Sequence, residues 1–492
     1  MSTNLQAIIL AAGKSTRFNT DTTKLLEPIC GQPMILYPVK LLQKMSVPTT
    51  LIVGYQKNSI REIIKKNNVK GINFVIQKEQ HGTGHAILCA RDSWHKENIL
   101  IMNGDMPLVT SEIIDLLYKK HRQMNAAISF VTAHADPINS TYGRVIQTPK
   151  SIKIIEAHNF KGDLSEHCCI NAGIYIVSKD FLEKNIDEIK RNEESKEFYF
   201  TDLIKIASDK GYTISTTSAP FDHIRGINTL QELWASEQIK RAELIKYWMD
   251  HGVRFSVAQN IHIDLDVTIG SGSYIGCGVH LLNGTTIGKK CRINESSTLN
   301  NAHLEDNVII DAHTIINDSA IGAKSKIGPF AHIRNNTILA AETIIGNFVE
   351  IKNSTIGVKT KAKHLTYLGD AQIGSNVNVG AGTITCNHDG MNKHQTTIED
   401  NAYIGSNNTI VAPLTIKKNA FTAAGSVITK DVPENALAFG RARQVNKKDY
   451  AKKLRKKSQN DAESSSEEKK KDSDTLSFVG AIKINNDTQS PD

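Results

Sequence analysis

The sequence of 492 residues has no apolar run near the ~18 residues that a membrane-crossing helix needs, so membrane insertion is not expected. Its first apolar stretch, Ala7–Ala12, is short and lacks a basic lead-in, which excludes a secretory leader there. The seven cysteines are odd in number, scattered, and contain no Cys-x-x-Cys pair. That pattern argues against a disulfide framework and a zinc site, and fits reduced thiols in the cytoplasm. Aromatic residues make up only 6%, and no basic stripe is interleaved with them, so nucleic acid is not an expected partner. The net charge of +8 does not reverse this, because seven basic residues crowd into 447–457 and the body is close to neutral. A near-neutral body still supplies the few placed cations that a phosphate-bearing small molecule requires.

From about Ile261 to Val432 an aliphatic residue recurs every six positions, usually followed by Gly or another small residue. Clear cases start at Ile269, Ile275, Ile287, Ile321, Ile327, Ile345, Ile356, Ile373, Val379, Ile404 and Ile410. A period of six with β-branched residues predicts a triangular parallel β-helix of hexapeptide repeats, with the aliphatic inside and the small residue at the corner. Three hexapeptides per coil give roughly ten coils. Short strands of a sandwich would not hold so strict a spacing. Two breaks are expected, a polar loop at Thr385–Thr397 and a smaller one at Ala362–Thr366.

Residues 1–226 read differently. Buried-strand candidates at Ala7–Leu10, Thr50–Val53, Asn73–Ile76, Ile99–Met102, Ala127–Ala133 and Ile174–Val177 alternate with helical stretches. This predicts a Rossmann-like α/β domain with a mostly parallel sheet and ligands at the carboxyl ends of its strands. A linker helix is predicted within 227–251, its large apolar residues packed, with the β-helix over 252–445. Residues 446–492 read as a charged, disordered tail.

Several residues carry chemistry. The first strand runs into Leu10-Ala11-Ala12-Gly13-Lys14-Ser15-Thr16-Arg17, where small residues let backbone N–H groups approach an anion and Arg17 adds charge. The spacing fits neither a Walker loop nor a dinucleotide fingerprint. Lys24, the run from Gln77 through Gly82-Thr83, and Asn103-Gly104-Asp105-Met-Pro-Leu complete the set. Bringing two polyanions together calls for a hard divalent cation on carboxylate oxygen, and Asp105 ends a strand where one is useful. Read alone, Asp105 could be a turn residue, Asn228 a helix N-cap and His364 a core histidine.

With these motifs, the chain resembles the bacterial bifunctional N-acetylglucosamine-1-phosphate uridylyltransferase/glucosamine-1-phosphate acetyltransferase family over about residues 5–445. The strongest strings are Gly346-Asn-Phe-Val-Glu-Ile-Lys352, His364-Leu-Thr-Tyr-Leu-Gly-Asp370 and Asn378-Val-Gly-Ala-Gly-Thr-Ile-Thr-Cys-Asn387. The resemblance implies that the β-helix is left-handed. It implies that Leu10, Ala11, Ala12, Gly13, Arg17, Lys24, Gln77, Gly82, Thr83, Asn103, Gly104 and Asp105 bind UTP. Gly143, Glu156 and Asn171 would contact the amino sugar, and Asp105 and Asn228 would hold Mg²⁺. In the acetyltransferase half it implies His364 as general base, removing a proton from the amine of glucosamine 1-phosphate. Arg334, Lys352, Tyr367 and Asn378, with Lys393 beside them, would bind the sugar phosphate. Ala381, Asn387, His388, Ser406, Ala424 and Arg441 would bind acetyl-CoA, in a site shared between subunits of a homotrimer.

Two positions depart from the family pattern. Ser15 stands where Gly is usual, and His388 where Tyr is usual. Neither touches Asp105 or His364. The other enzymatic reading is a single-activity sugar-phosphate nucleotidyltransferase with an architectural β-helix; the non-enzymatic one is a scaffold with dead sites. Lys352, His364 and Asn387 argue against the first, and Lys24, Asp105 and Asn228 against the second.

Overall fold

The computed structural model describes residues 4–14, 18, 22–135, 141–148, 151–160 and 168–472. Arg17 and Ser15 lie outside the described residues.

The first half is a mixed nine-stranded sheet. Strands run across it in the order Ile214–Ser218, Ile128–His134, Cys169–Ser178, Asn98–Asn103, Leu5–Ala11, Thr49–Val53, Ile72–Ile76. Leu5–Ala11 pairs in parallel with both neighbours, so Leu10 sits beside Ile52 and Asn103. Its side chains alternate between two cores: Ala7, Ile9 and Ala11 join one, Ile8 the other. Burial on both faces explains the unbroken apolar run.

All six strand candidates form strands. Two details differ from expectation. Ile72–Ile76 is an edge strand, and Ile76 is exposed rather than buried. Cys169–Ser178 runs antiparallel to both of its long neighbours, with a register shift between Asn171 and Tyr175. Its opening residues therefore lie at the carboxyl edge of the parallel strands, which brings Asn171 there.

The long helix spans Leu230–Asp250 and starts with a capping box, in which Thr229 accepts from the Glu232 N–H and Glu232 reaches back to the cap. Thr229 is thus the N-cap, and Asn228 is freed for other contacts. Leu233 packs on the first half's core, Ile245 and Trp248 on the coils, and Leu244 on both. Not all of the apolar stripe is packed: Leu230, Trp234 and Met249 are exposed.

The second half is the left-handed parallel β-helix, and all eleven repeat aliphatics named above lie in its single core. Most coils take 17 or 18 residues, as Leu281↔Leu299 and Leu299↔Ile316 illustrate. Small residues follow the aliphatics because successive coils nearly touch: a Cβ on Gly270 would lie 2.5 Å from the Gly288 backbone.

Neither break has its expected bounds. Ala362–Thr366 lies inside a continuous strand, Lys361–Gly369, with Ala362 filling the core. Thr385 and Thr396 belong to strands and are fully buried, so the loop narrows to the residues between Cys386 and Thr396. That loop lengthens its coil to 25 residues between the paired Ile384 and Thr409.

Residues 440–492 form a separate unit. It contains a helix, Tyr450–Asp472, where a disordered segment is expected from composition. Ala, Lys, Glu, Arg and Leu are good helix formers, and no Pro or Gly interrupts them.

Candidate functional site

Leu10–Gly13, Lys24, Gln77, Gly82, Thr83, Asn103, Asp105 and Asn228 line one cavity of about 350 Å³. Gly143, Glu156 and Asn171 line an adjoining cavity of about 200 Å³, which shares Leu10, Thr83, Asn103, Asp105 and Asn228. The first strand, the strand Asn98–Asn103 and the residues after them supply the floor. Gly104 does not line the cavity. Its N–H donates to the Leu10 carbonyl at 2.9 Å, and a Cβ there would meet Ile35 at 2.8 Å, so it locks the floor instead.

Lys24 sits in a one-turn helix, Lys24–Leu26. Its Nζ donates to Asp105 Oδ2 at 2.5 Å, the Ile227 carbonyl at 2.7 Å and Asn228 Oδ1 at 2.9 Å. Both partners of the ion pair are largely buried. The other carboxylate oxygen, Asp105 Oδ1, is buried without a hydrogen-bond partner in the described structure. A buried unsatisfied carboxylate oxygen beside an amide oxygen is a hard donor set, the type that a divalent cation takes together with phosphate oxygens.

The wall opposite is held by the turn at Gly82. Its φ is +98°, and a Cβ would lie 2.6 Å from the Phe198 carbonyl. Buried Gln77 donates to the Gly82 carbonyl at 3.1 Å and contacts His85 Nδ1 at 3.1 Å. Thr83 Oγ1 accepts from the Phe200 N–H at 3.0 Å. In the adjoining cavity Thr201 donates to Glu156 at 2.8 Å, and Asn171 donates to the Tyr175 hydroxyl at 2.6 Å. Burial pushes the Tyr142 and Tyr175 hydroxyls well above the usual phenol range, so both stay protonated. Tyr142 receives the Gly226 N–H at 2.6 Å, which fixes the segment leading to Asn228.

Gln80 and Tyr142, neighbours of the motif residues, also line these cavities, and Glu197 and Phe200 line them while escaping the motif reading altogether. Glu197 and Phe200 lie in a segment with no periodic pattern, and only the fold carries them to the sheet edge.

On the β-helix the groups stand in columns. Arg334 is one coil before Lys352. His364 is one coil after Asn347, and its Nδ1 lies 2.9 Å from Asn347 Oδ1. An amide oxygen only accepts, so Nδ1 carries the proton and Nε2 keeps its lone pair. His364 is exposed. Arg334 pairs with Glu350 at 2.6 Å and is not a free cation. The Lys393 ammonium beside Lys352 holds the latter below the usual lysine range.

Tyr367 follows Glu350 by one coil, and its hydroxyl lies near the Gly369 position that Asn387 also approaches. Asn387 is buried and donates to Asp370, which also accepts from Asn353 at 2.5 Å. Asn378 belongs to a different column, one coil after Lys361. Ala381, Ser406 and Ala424 each follow by two residues the register-matched Val379, Ile404 and Thr422, so they share a corner. His388 is exposed at the start of the loop and accepts the Gly390 N–H at 3.2 Å. The loop is held by His394, 2.7 Å from Asp389 Oδ2; backbone N–H groups led by that of Asn392 keep the Asp389 carboxyl far below the usual range. Arg441 belongs to the separate C-terminal unit.

Residues 7–164 match the family model of the MobA-like NTP transferase domain, and residues 257–362 that of the GMPPB C-terminal domain. Relatives match almost end to end. The "Bifunctional protein GlmU" of Exiguobacterium sibiricum is 39% identical over 90% of this chain and 99% of its own length. That of Thermodesulfovibrio yellowstonii is 41% identical over 92% of this chain and 100% of its own, and that of Geotalea uraniireducens 37% over 92% and 100%. Two halves with a site-like constellation on each, matched over their whole length, place the chain in the bifunctional GlmU family.

Proposed function

We infer that the chain is a bifunctional transferase of UDP-N-acetylglucosamine synthesis. The β-helix half acetylates glucosamine 1-phosphate with acetyl-CoA. The sheet half transfers UMP from UTP to N-acetylglucosamine 1-phosphate, releasing pyrophosphate. The observation that carries this reading is the convergence of Lys24, Asp105 and Asn228 in a cavity, on the same chain as an exposed His364 whose tautomer Asn347 sets.

For uridylyl transfer, Leu10–Gly13, Gln77, Gly82 and Thr83 bind the nucleotide, and Lys24 meets its phosphates. Arg17 adds to the phosphate-binding charge. Gly143, Glu156 and Asn171 orient the amino sugar so that its phosphate oxygen faces the α-phosphorus. Asp105 and Asn228 are the residues that would hold Mg²⁺. When bound, the metal neutralises charge on the reacting phosphates. Asn103 contributes to the same floor.

For acetyl transfer, Lys352, Lys393 and Arg334 face the sugar phosphate, with Tyr367 and Asn378 beside it. His364 Nε2 takes the proton from the amine as its nitrogen attacks the thioester carbonyl. A backbone N–H near Ala381 stabilises the oxyanion. Asn387, His388, Ser406 and Ala424 make up the acetyl-CoA side.

The acetyl site is open on one chain, and a homotrimer completes it. Support comes from a corner beside His364, where Phe330 and Phe348 stack 5.4 Å apart and Leu365 follows. All three are exposed and adopt positive φ, which large side chains rarely do. Such a stripe suits another copy of the chain. Among the described residues no helix is long and apolar enough to cross a membrane, which suits a cytoplasmic enzyme.

The test is a pair of separated assays on wild type, Asp105→Ala and His364→Ala. One follows CoA release, the other pyrophosphate release with Mg²⁺. Each substitution should abolish one activity and spare the other. Wild type that releases pyrophosphate but never CoA would leave the β-helix an architectural element.

A further inference from the structure

The ammonium of Lys24 makes three contacts, and it has three donors. It is therefore saturated where it stands. Two of the three acceptors, the side chains of Asp105 and Asn228, are the pair proposed as metal ligands. A Mg²⁺ ion requires such oxygens at about 2.0–2.1 Å. An ammonium held at 2.5 Å from Asp105 and 2.9 Å from Asn228 already takes one lone pair of each oxygen, and a dication sharing both would meet a like charge at contact distance. Asp105 Oδ1 remains open, but it offers one ligand where the site needs more.

Lys24 has a long flexible stem, so its head can leave while the one-turn helix stays. A triphosphate entering the cavity gives that head a new anionic partner and brings oxygens of its own for the metal. Without one, leaving would strand a cation and expose a largely buried carboxylate.

We propose that Lys24 is an internal counter-cation that holds the Asp105–Asn228 oxygens against divalent metal until a nucleoside triphosphate draws it away. Metal and nucleotide then bind as a coupled pair, each raising the affinity of the other by the same factor. This rests on the metal ligands assigned under Proposed function.

The experiment titrates the full-length chain with Mn²⁺ and reads free Mn²⁺ by electron paramagnetic resonance, with and without UTP, and with no sugar phosphate present. Wild type should bind Mn²⁺ weakly alone and much more tightly with UTP. Lys24→Met should bind Mn²⁺ alone about tenfold or more tightly than wild type, because a unit charge at the ligand oxygens is gone. Its nucleotide dependence should shrink. Mn²⁺ alone should also raise the melting temperature of this variant more than that of wild type. Lys24→Gln, whose amide still donates to Asp105, is read in the same way should the Met variant fold poorly. Equal or weaker Mn²⁺ binding by both variants overturns the proposal. Asp105→Asn separates the two levels: if it retains wild-type Mn²⁺ binding with UTP, the metal-ligand assignment itself fails.

Discussion

In the sheet half, residues as far apart in sequence as Leu10 and Asn228 line one cavity, because parallel strands deliver their carboxyl ends to a common edge. In the coiled half, Arg334 and Lys352, or Asn347 and His364, meet because they lie one coil apart. The first route encloses the candidate site within a single chain, whereas the second displays its groups on an open surface. The difference predicts how damage spreads. A change in the cavity wall should disturb the whole first site, while a change in one column should act through its nearest coil.

The largest effect should come from Gly82→Ala. The backbone there has φ +98° and ψ 177°, a region almost reserved for glycine, and the new Cβ would meet the Phe198 carbonyl. Strain and collision together should cost about 3 kcal/mol or more of stability. Uridylyl transfer should fall on the order of 100-fold, equivalent to that strain appearing in the barrier. Acetyl transfer should stay near wild type in paired assays. A parallel loss of both activities would show that the two halves fail as one unit.

Acid should separate the halves next. His121 is the one histidine in the buried set among the described residues, bonded to Ser129 at 2.8 Å and Asn98 at 3.1 Å, and burial pushes its pKa down to about 4. The fold thus favours the neutral ring. Its contribution is complete above about pH 6.5, the unfolded value, and is lost as pH falls toward 4. At pH 5 the loss should be about 2 kcal/mol. Chemical denaturation at pH 7 and pH 5 should show the sheet half weakening more than the coils, where partial burial holds His262 and His332 below the usual range in the same direction. His121→Gln should flatten that dependence.

Periodicity made the coils legible, since a six-residue rhythm over some 170 residues has few other solutions. It could not show that Lys361–Gly369 stays a strand across a corner, because Leu365 reaches positive φ there without glycine. Apolar runs marked all six strands. They carried no direction, so the antiparallel Cys169–Ser178, which brings Asn171 to the site, stayed hidden. Motifs located Lys24 and Asp105, but not that they bind each other. Asn347 lay inside a matched string, and the clue was its distance of 17 residues from His364, one coil.

Asn347→Ala should lower acetyl transfer about tenfold, because Nδ1 loses the acceptor that fixes the tautomer. The effect should fall on kcat rather than KM, and uridylyl transfer should be unchanged. Asn347→Asp should retain the acceptor and add a negative charge, moving the acid limb of the pH–rate profile to higher pH. A merely structural role would move neither limb.

The smallest effect should come from Lys393→Met. Lys393 stands on the loop, and its ammonium lowers the Lys352 pKa by proximity. With Lys393 present, rising pH removes the Lys352 proton earlier than from an ordinary lysine, and affinity for a phosphate dianion falls with it. With Met there, KM for glucosamine 1-phosphate should rise only about threefold near neutrality, since the pair is solvent-screened. The alkaline loss of affinity should move to higher pH, because Lys352 then keeps its proton longer. An alkaline limb that stays in place would mean that Lys352 does not meet the phosphate, and the column of cations would be a feature of the coil surface alone.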